Sequence, residues 1–409
     1  MRLRLATERM NSQAGSGPRW LKGQSVRDDY FASLAEAATD RKPVKGWTHN
    51  FYRYPARFSP RFAAAAIECF SRPSDVVLDP YMGGGTAVVE GVVAGRRVIG
   101  NDLNSLATFI TKVKTTALSD SEIAAIRLWA ERSVPQFSYF QDAGELSAFI
   151  NASKARNLTL ARARFIKKVT AAALSSIAVL PTENARDFAK CAVLRVAQWA
   201  LDGRERHTPL VEFRKRLSST TENMLASLWS LEQQIRRSRG RATLFNMDSA
   251  CLDQAPVFRN GKQTVSLVVT SPPYPGVHVL YHRWQVDGRR ETPAPYWITG
   301  CNDGQGASYY NFGDRREAAT ETYFRKSLCT LHAIRHVMRR GAHIVQLVAF
   351  NRPDDQLRRY LKNMRDAGFA EVEFRDGRIW RQVPHRKWHA TLLGKTHSSN
   401  EVVLVHRAV

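Results

Sequence analysis

The stretch DVVLDPYMGGGTAVVEGVVAGRRVIGND, residues 75–102, decides the fold. Its apolar residues 76–78 predict a short buried strand, and three glycines follow at 83–85. The next ten residues have helical character, and residues 96–102 predict a second strand. Strand, glycine-rich loop, helix and strand form a βαβ unit, which requires a parallel sheet with helices packed on it. The sequence therefore predicts an α/β fold with a Rossmann-like sheet.

The glycine loop also predicts a ligand site, because glycines let the backbone approach a ligand and the next helix offers free N–H groups. The spacing is not G-x-G-x-x-G and no P-loop lysine follows, which disfavours dinucleotides and nucleoside triphosphates. Asp79 would repel a pyrophosphate but attract an ammonium group. Asp102 lies where βαβ units bind a ribose diol. S-adenosylmethionine carries both groups; the alternative is a glycine turn beside a surface aspartate.

A second apolar strand, residues 265–270, ends on the loop Ser271-Pro272-Pro273-Tyr274. Two successive prolines stiffen a loop and fix the direction of its carbonyl groups. The Ser271 oxygen and the Pro272 carbonyl could accept the hydrogens of an exocyclic base amine and so free its lone pair for attack. Tyr274 could stack on a base that has been swung out of the helix. The alternative is a Pro-Pro turn that ends a strand beside a buried tyrosine.

The composition of the 409 residues is that of a folded protein with an unusual charge. Hydrophobic residues make up 44%, which argues against wholesale disorder, and the length suggests two or three domains or one domain with a large insertion. Lys and Arg number 61 against 37 Asp and Glu, a formal net charge of +24. Such a field concentrates polyanions, so nucleic acid is the predicted partner.

Cysteine and histidine spacing predicts no metal site. The five cysteines are scattered, which is typical of free thiols in a reducing cytoplasm. His385 and His389 are four residues apart, but no further ligands accompany them. No apolar run is long enough to cross a bilayer and no export signal is evident, so we expect a soluble cytoplasmic protein.

Strand and helix patterns divide the chain into three parts. Residues 1–46 are polar and basic and predict an N-terminal arm. Strand patterns occur in 47–118 and again in 241–409, which we assign to one catalytic domain. Between them, residues 119–240 place apolar residues at three- and four-residue spacing, which predicts a helical insertion. A role of this insertion in target recognition is a hypothesis.

Both loops resemble motifs of the amino-methylating DNA methyltransferases, which use S-adenosylmethionine to modify N4 of cytosine or N6 of adenine. Asp-Pro-Tyr-Met-Gly-Gly-Gly-Thr at 79–86 is similar to the family's cofactor motif, with Tyr81 where Phe is common and Gly84 where a hydroxyl residue is common. Thr-Ser-Pro-Pro-Tyr at 270–274 resembles its catalytic motif in the form usual for cytosine-N4 enzymes. The segment 49–62 resembles the part that packs over the methionine end of the cofactor.

The resemblance implies a class I methyltransferase sheet, S-adenosylmethionine as cofactor and DNA as substrate. The implied catalytic residues are Ser271, Pro272, Pro273 and Tyr274. The implied cofactor-binding residues, of which the last would accept a hydrogen bond from the adenine amine, are Asp79, Pro80, Tyr81, Gly83, Gly85, Thr86, Asp102 and Asp248. The cofactor motif precedes the catalytic motif, so the order is not the circularly permuted one.

Basic and aromatic residues are interleaved after the second loop and again near residue 386, a pattern that suits an unstacked strand held by its phosphates. The predicted nucleic-acid-binding residues are His278, Tyr281, Arg283, Trp284, Arg289, Arg290, Arg386 and Lys387. One alternative is an amphipathic helix with Tyr281 and Trp284 partly in the core. Another is an ordinary solvated loop around Arg386.

The serine of the second loop favours N4 of cytosine in DNA as the methyl acceptor, on resemblance to the family. N6 of adenine in DNA is the second candidate, and an RNA base is the third. A nucleic-acid-binding protein with a degenerate cofactor pocket is the candidate from a different functional class.

Overall fold

The computed structural model describes residues 28–40, 42, 44–54, 57–139, 157–158, 160, 163–204, 206–259, 264–275, 283–286, 290–302, 312, 317–350, 352–382 and 400–409. The predicted arm at 1–46 therefore lies largely outside the described residues.

Ten strands occur in this part of the chain. They are β1 Val76–Asp79, β2 Arg97–Asn101, β3 Arg241–Phe245, β4 Val265–Thr270, β5 Trp284–Val286, β6 Arg290–Thr292, β7 Met338–Ala349, β8 Phe369–Glu371, β9 Ile379–Gln382 and β10 Asn400–Ala408. Eight of them form one sheet in the order β3-β2-β1-β4-β7-β10-β8, with β9 also paired to β10, while β5 and β6 form a separate hairpin. The first five strands of this order are parallel, and β10 is antiparallel to its neighbours. The predicted Rossmann-like methyltransferase sheet is confirmed.

Eleven α-helices occur in the described residues. They are α1 Asp28–Thr39, α2 Pro60–Phe70, α3 Thr86–Val93, α4 Ser105–Thr115, α5 Asp120–Arg132, α6 Ala163–Ser176, α7 Glu183–Leu201, α8 Leu210–Ser238, α9 Ala294–Thr299, α10 Glu317–Val337 and α11 Pro353–Asp366. None of the helices described is long and apolar enough to span a membrane.

Both faces of the sheet are covered by helices, so side chains on both sides of a strand are buried. In β1, Val77 packs with α1, α2 and α3 on one face, whereas Val76 and Leu78 pack with α10 and α11 on the other. Successive side chains of a strand point to opposite faces, so a strand covered on both sides reads as a continuous apolar run. This is why residues 76–78 predicted a buried strand.

The insertion at 119–240 contributes α5, α6, α7 and α8, as its periodicity predicted. Its apolar residues do not form a core of their own. They join one buried cluster with α4, the β5–β6 hairpin and the segment that contains Phe51, Tyr52 and Tyr54. The insertion therefore packs directly against the part of the chain that precedes the glycine loop.

Sheet order brings three chain segments to one edge. Strands β1 and β4 are parallel neighbours, so the loops after Asp79 and Thr270 emerge side by side. Strand β10 runs the opposite way, and its second residue, Glu401, pairs with Ala349 at the carboxyl end of β7. The first residues of β10 therefore lie at the same edge as the two loops.

Candidate active site

Asp79 joins the loops that follow β1 and β4. Its side chain is fully buried, and Oδ1 accepts hydrogen bonds from the Thr270 hydroxyl at 2.7 Å and the Tyr81 backbone N–H at 3.2 Å. Oδ2 has no hydrogen-bond partner among the described residues. Burial raises the pKa of this carboxyl to about 7. Asp79 therefore ties the two loops together from behind.

Three glycines in a row allow close packing around the loop. Gly83 and Gly85 have φ of +46° and +74°, in the left-handed region that favours glycine. A Cβ at Gly85 would lie 2.6 Å from Thr111 Oγ1, and one at Gly84 would lie 2.8 Å from the Cβ of Tyr54. The missing side chains thus make room for α4 on one side and for Tyr54 on the other.

Lys114 supports the glycine loop from α4. Its side chain is buried, and Nζ donates a hydrogen bond to the Gly84 carbonyl at 2.5 Å. Burial, with a smaller contribution from the charge of Arg57, lowers the pKa of Lys114 to about 7. No carboxylate of the described residues forms an ion pair with it. Lys114 therefore stabilises the backbone of the glycine loop.

Asp102 follows β2 and faces the glycine loop. Its Oδ2 accepts a hydrogen bond from the Gly83 N–H and its Oδ1 from the Asn104 N–H, each at 2.8 Å. Burial raises the pKa of this carboxyl to about 6. A carboxylate oxygen has more than one lone pair, so both oxygens can still accept from hydroxyl groups such as those of a ribose.

The Ser-Pro-Pro-Tyr loop is linked to β10 by a chain of polar contacts. Ser271 Oγ lies 3.0 Å from the Leu347 carbonyl and 2.9 Å from the Tyr274 hydroxyl, which donates to Glu401 Oε1 at 3.0 Å. Glu401 is buried, and its Oε2 accepts from Arg381 Nε at 2.6 Å. A continuous path of hydroxyl groups therefore runs from Ser271 to an ion-paired carboxylate.

The two prolines of this loop differ in their surroundings. The Pro273 carbonyl accepts a hydrogen bond from the Tyr323 hydroxyl at 2.8 Å. No residue in the described ranges donates to the Pro272 carbonyl. The acceptor that the sequence assigned to a base amine is therefore the one that the rest of the described fold leaves available.

Both loops line one open cavity. Asp102, Asn104 and the glycines form one side, and Ser271 with Pro273 forms the other. The residues around it are Tyr54, Arg57, Phe58, Tyr81, Met82, Gly83, Gly84, Thr86, Asp102, Leu103, Asn104, Asp248, Ser249, Ser271, Pro273 and Phe312. The glycine loop and the Ser-Pro-Pro-Tyr loop therefore face the same space.

The structure brings together seven of the twelve predicted catalytic and cofactor residues as cavity lining. They are Tyr81, Gly83, Thr86, Asp102, Asp248, Ser271 and Pro273. Five others lie behind the lining: Asp79, Pro80, Gly85, Pro272 and Tyr274. The Tyr274 ring is 6% exposed and packs in the core under the sheet, so in this conformation Tyr81 and Phe312, rather than Tyr274, present rings to the cavity.

The predicted DNA contacts are only partly within the described residues. Arg283 is half-buried and Arg290 is exposed. Trp284 is 2% exposed in β5, and its indole N–H donates to the Tyr52 hydroxyl at 2.8 Å. The core alternative is therefore right for Trp284, which does not reach a DNA strand in this conformation. The remaining predicted contacts fall outside the described ranges: His278, Tyr281, Arg289, Arg386 and Lys387.

Sequence reasoning missed several residues that the fold brings to the cavity. Tyr54 and Arg57 belong to the segment 49–62, which was singled out only as a whole. Asn104 caps α4 by accepting from the Leu106 N–H at 3.0 Å, a pattern that an N-terminal cap search would find. No sequence pattern predicted a role for Glu401, because it lies in an ordinary strand far along the chain.

Within the described ranges, no group of three or more His, Cys, Asp or Glu side chains is placed to hold a metal ion. The cavity offers carboxylates, aromatic rings and loop backbone as its ligand groups.

Sequence comparisons give two matches. The N6/N4 methyltransferase family model, described as DNA methylase, matches residues 7–112, which include the glycine loop but not the Ser-Pro-Pro-Tyr loop. The Type II methyltransferase M.MvaI of Kocuria varians is 36% identical over 84 residues, which make up 20% of this chain. They make up 18% of that protein, so the match spans less than a fifth of the relative.

Solved structures similar to the chain include three methyltransferases. TrmN from Thermus thermophilus has 12% identity and a TM-score of 0.32, with 86% of this chain and 49% of that chain covered. A SAM-dependent methyltransferase from Methanosarcina mazei has 8% identity and a TM-score of 0.33, with 84% and 96% covered. The rRNA methyltransferase AviRa from Streptomyces viridochromogenes has 10% identity and a TM-score of 0.35, with 87% and 89% covered.

Proposed function

We infer that this chain is an amino-methylating DNA methyltransferase, and we propose that it transfers a methyl group to N4 of cytosine in DNA. The two sequence matches support the family, and the family implies S-adenosylmethionine as the cofactor. The activity on DNA and the choice of cytosine are the proposal. The observation that supports it is the single cavity that the glycine loop and the Ser-Pro-Pro-Tyr loop share.

The cavity residues fit the cofactor. Asp102 presents a carboxylate whose oxygens each accept only one backbone N–H, which suits a ribose diol. The space that a side chain at Gly84 would fill is taken by Tyr54, so the loop backbone lies close to an aromatic wall. Asp248 stands at the rim, where it could accept from an adenine amine. When bound, S-adenosylmethionine supplies the electrophilic methyl group of its sulfonium.

The catalytic loop would prepare the acceptor amine. The lone pair of an exocyclic amine is delocalised into the base, so the amine is a weak nucleophile. A hydrogen bond to Ser271 Oγ would localise that lone pair on nitrogen. A second hydrogen bond, to the carbonyl of the buried Pro272, would require the loop to shift towards the cavity. Because the loop is stiffened by two prolines, much of the rate would come from this alignment.

The methylated nitrogen must then lose a proton, and the hydroxyl chain offers a path for it. The Ser271 hydroxyl, which donates to the Leu347 carbonyl, must first turn towards Tyr274. Ser271 Oγ then takes the proton as its own proton moves to the Tyr274 oxygen, and the Tyr274 proton moves to Glu401. Charge balances, because one positive charge leaves the nitrogen and one carboxylate is neutralised. After product release the relay runs backwards and the proton passes to water. Glu401 is thus assigned as the proton acceptor.

The test is to identify the product. The protein is incubated with methyl-labelled S-adenosylmethionine and bulk bacterial DNA or RNA, and digested nucleosides are identified by mass. We expect N4-methylcytosine from DNA and no transfer by Ser271→Ala. N6-methyladenine would overturn the choice of base, and label in RNA alone would overturn the choice of DNA. Intact DNA binding without transfer to any nucleic acid would replace the enzyme with a binding protein.

A further inference from the structure

A cluster of four arginines lies beside the cavity, formed by Arg53 and Arg57, which flank the cavity-lining Tyr54, and by Arg195 and Arg216 of the insertion. Arg57 itself lines the cavity. After burial, the charges of Arg195 and Arg53 are the largest causes that lower the pKa of Arg57, to about 10. Burial and then the charges of Arg216 and Arg53 lower the pKa of Arg195. Positive charge from neighbouring arginines therefore acts on both Arg57 and Arg195.

Specific contacts hold this arginine cluster in place. Gln198 of α7 clamps the backbone of Arg53, accepting from its N–H at 3.2 Å and donating to its carbonyl at 2.9 Å. Arg195 lies one turn earlier on the same helix. Arg216 of α8 stacks on Trp199 of α7, with its guanidinium carbon 4.2 Å from the ring centroid. The backbone of Arg53 and the guanidinium of Arg216 are thus both held against α7.

The fold described here supplies almost no negative charge to this cluster. None of the four arginines forms an ion pair with a described residue. Arg57 donates to the His49 carbonyl at 2.8 Å. The carboxylate that acts on Arg53, Asp202, is itself buried, and it accepts from the Gln285 N–H at 3.0 Å. Arg57 and Arg195 are half-buried, whereas Arg53 and Arg216 are exposed. Half-buried guanidinium groups that form no ion pair favour an anionic ligand.

We propose that the arginine cluster binds phosphate groups of the DNA strand that carries the extruded base. A guanidinium fork matches two phosphate oxygens, and several such groups in a row match successive phosphates. Arg57 lines the cavity, so the phosphates nearest the extruded nucleotide would reach the cluster first. This inference rests on the proposed function and assigns a role to the insertion, which would hold the strand at the cavity.

Charge-removing variants test the inference through binding alone. A fluorescent single-stranded oligonucleotide of mixed sequence is titrated with full-length protein between 50 and 200 mM salt. Arg195→Gln and Arg216→Gln should each weaken binding several-fold and reduce the slope of log Kd against log salt by about 0.7, the value for one lost phosphate contact to a single strand. Arg195→Lys should retain the wild-type slope, and labelled cofactor should bind all variants equally.

Arg237→Gln is the matched control. It removes one exposed arginine from the same helix, α8, about 30 Å from Arg216 at 1.5 Å per residue. It should leave affinity and slope unchanged. Thermal unfolding of every variant separates loss of contact from loss of fold.

The outcomes distinguish this inference from the proposed function. If Arg195→Gln and Arg216→Gln bind with wild-type affinity and slope, the cluster is not a phosphate site, whether or not methyl transfer occurs. If they lose binding as expected but no base is methylated by the wild type, the cluster stands and the proposed function fails. Binding of inorganic phosphate that Arg195→Gln abolishes, with DNA affinity unchanged, would overturn the assignment to a strand in favour of a small anion.

Discussion

At the scale of single residues, Asp102 has two tasks. It fixes Gly83 through one backbone hydrogen bond and still presents its carboxylate to the cavity. Burial is the largest cause that raises its pKa, to about 6. The group is therefore ionised at neutral pH but takes up a proton under mildly acidic conditions.

Cofactor affinity should follow this titration. The ionised carboxylate is the better acceptor for ribose hydroxyls, and its population falls about fourfold between pH 7.5 and 5.5 for a pKa near 6. We expect the affinity for S-adenosylmethionine, measured by calorimetry, to fall by a similar factor over that range. Asp102→Asn should bind more weakly and lose the pH dependence. A dependence that persists in Asp102→Asn would assign the titration to another group, with Asp79 the first alternative.

Tyr274 and Glu401 should act as one unit if the proton leaves through them. Tyr274→Phe keeps the ring but removes the link between Ser271 Oγ and Glu401, and Glu401→Gln keeps an acceptor but removes the carboxylate. Each variant should slow single-turnover methyl transfer roughly 10- to 100-fold, within the range of general acid–base effects, with unchanged cofactor affinity.

The double variant gives the decisive comparison. Residues of one relay are not additive, so Tyr274→Phe with Glu401→Gln should be no slower than the slower single variant. Multiplicative losses would contradict the relay. Unchanged thermal unfolding would show that loss of the partner of Arg381 has not disrupted the fold.

At the scale of elements, Gly84 shows how this chain differs from the cofactor motif that it resembles. The sequence revealed only that glycine stands where a hydroxyl residue is common. The structure gives the reason, because the place of that side chain is occupied by Tyr54. The segment before the sheet and the glycine loop are therefore fitted to each other.

Substitution of Gly84 by the residue type usual in the family should accordingly weaken the site. In Gly84→Ser, the new Cβ would lie 2.8 Å from the Tyr54 Cβ, so the loop must move. We expect at least a tenfold loss of cofactor affinity. Gly91→Ala is the matched control, since its Cβ would meet Val98 at 2.5 Å beneath α3, away from the cavity lining. Gly91→Ala should lower the unfolding temperature without changing cofactor affinity. If Gly84→Ser bound the cofactor as tightly as the wild type, the proposed packing of Tyr54 against the glycine loop would be wrong.

Elements with a local hydrophobic pattern could be predicted from the sequence. Positions that depend on which strands or helices pack together could not. The runs 76–78 and 265–270 are apolar because both faces of the sheet are covered, so their terminal loops could be placed at one edge. Glu401 reaches that edge only because β10 inserts antiparallel beside β7, which no local pattern specifies. Lys114 reads as a surface residue of an amphipathic helix, yet the chain folds it under Gly84.

At the scale of the whole molecule, interleaved basic and aromatic residues proved ambiguous in the sequence. Trp284 belongs to the core, because the insertion supplies an apolar surface that covers it. The sequence did not predict the arginine cluster, because its members are separated by up to 163 positions. They converge only through the packing of α7 and α8. The net charge of +24 indicated a polyanion but not which surface would meet it.

Tyr54 lines the cavity with one side of its ring and belongs to the same buried cluster as the helices of the insertion. An exchange of this insertion for that of a relative would therefore also rebuild a wall of the methyl-donor pocket. Changes in the insertion and changes in the cavity would therefore be inherited together during the divergence of such chains, and grafted versions would need compensating substitutions around residue 54.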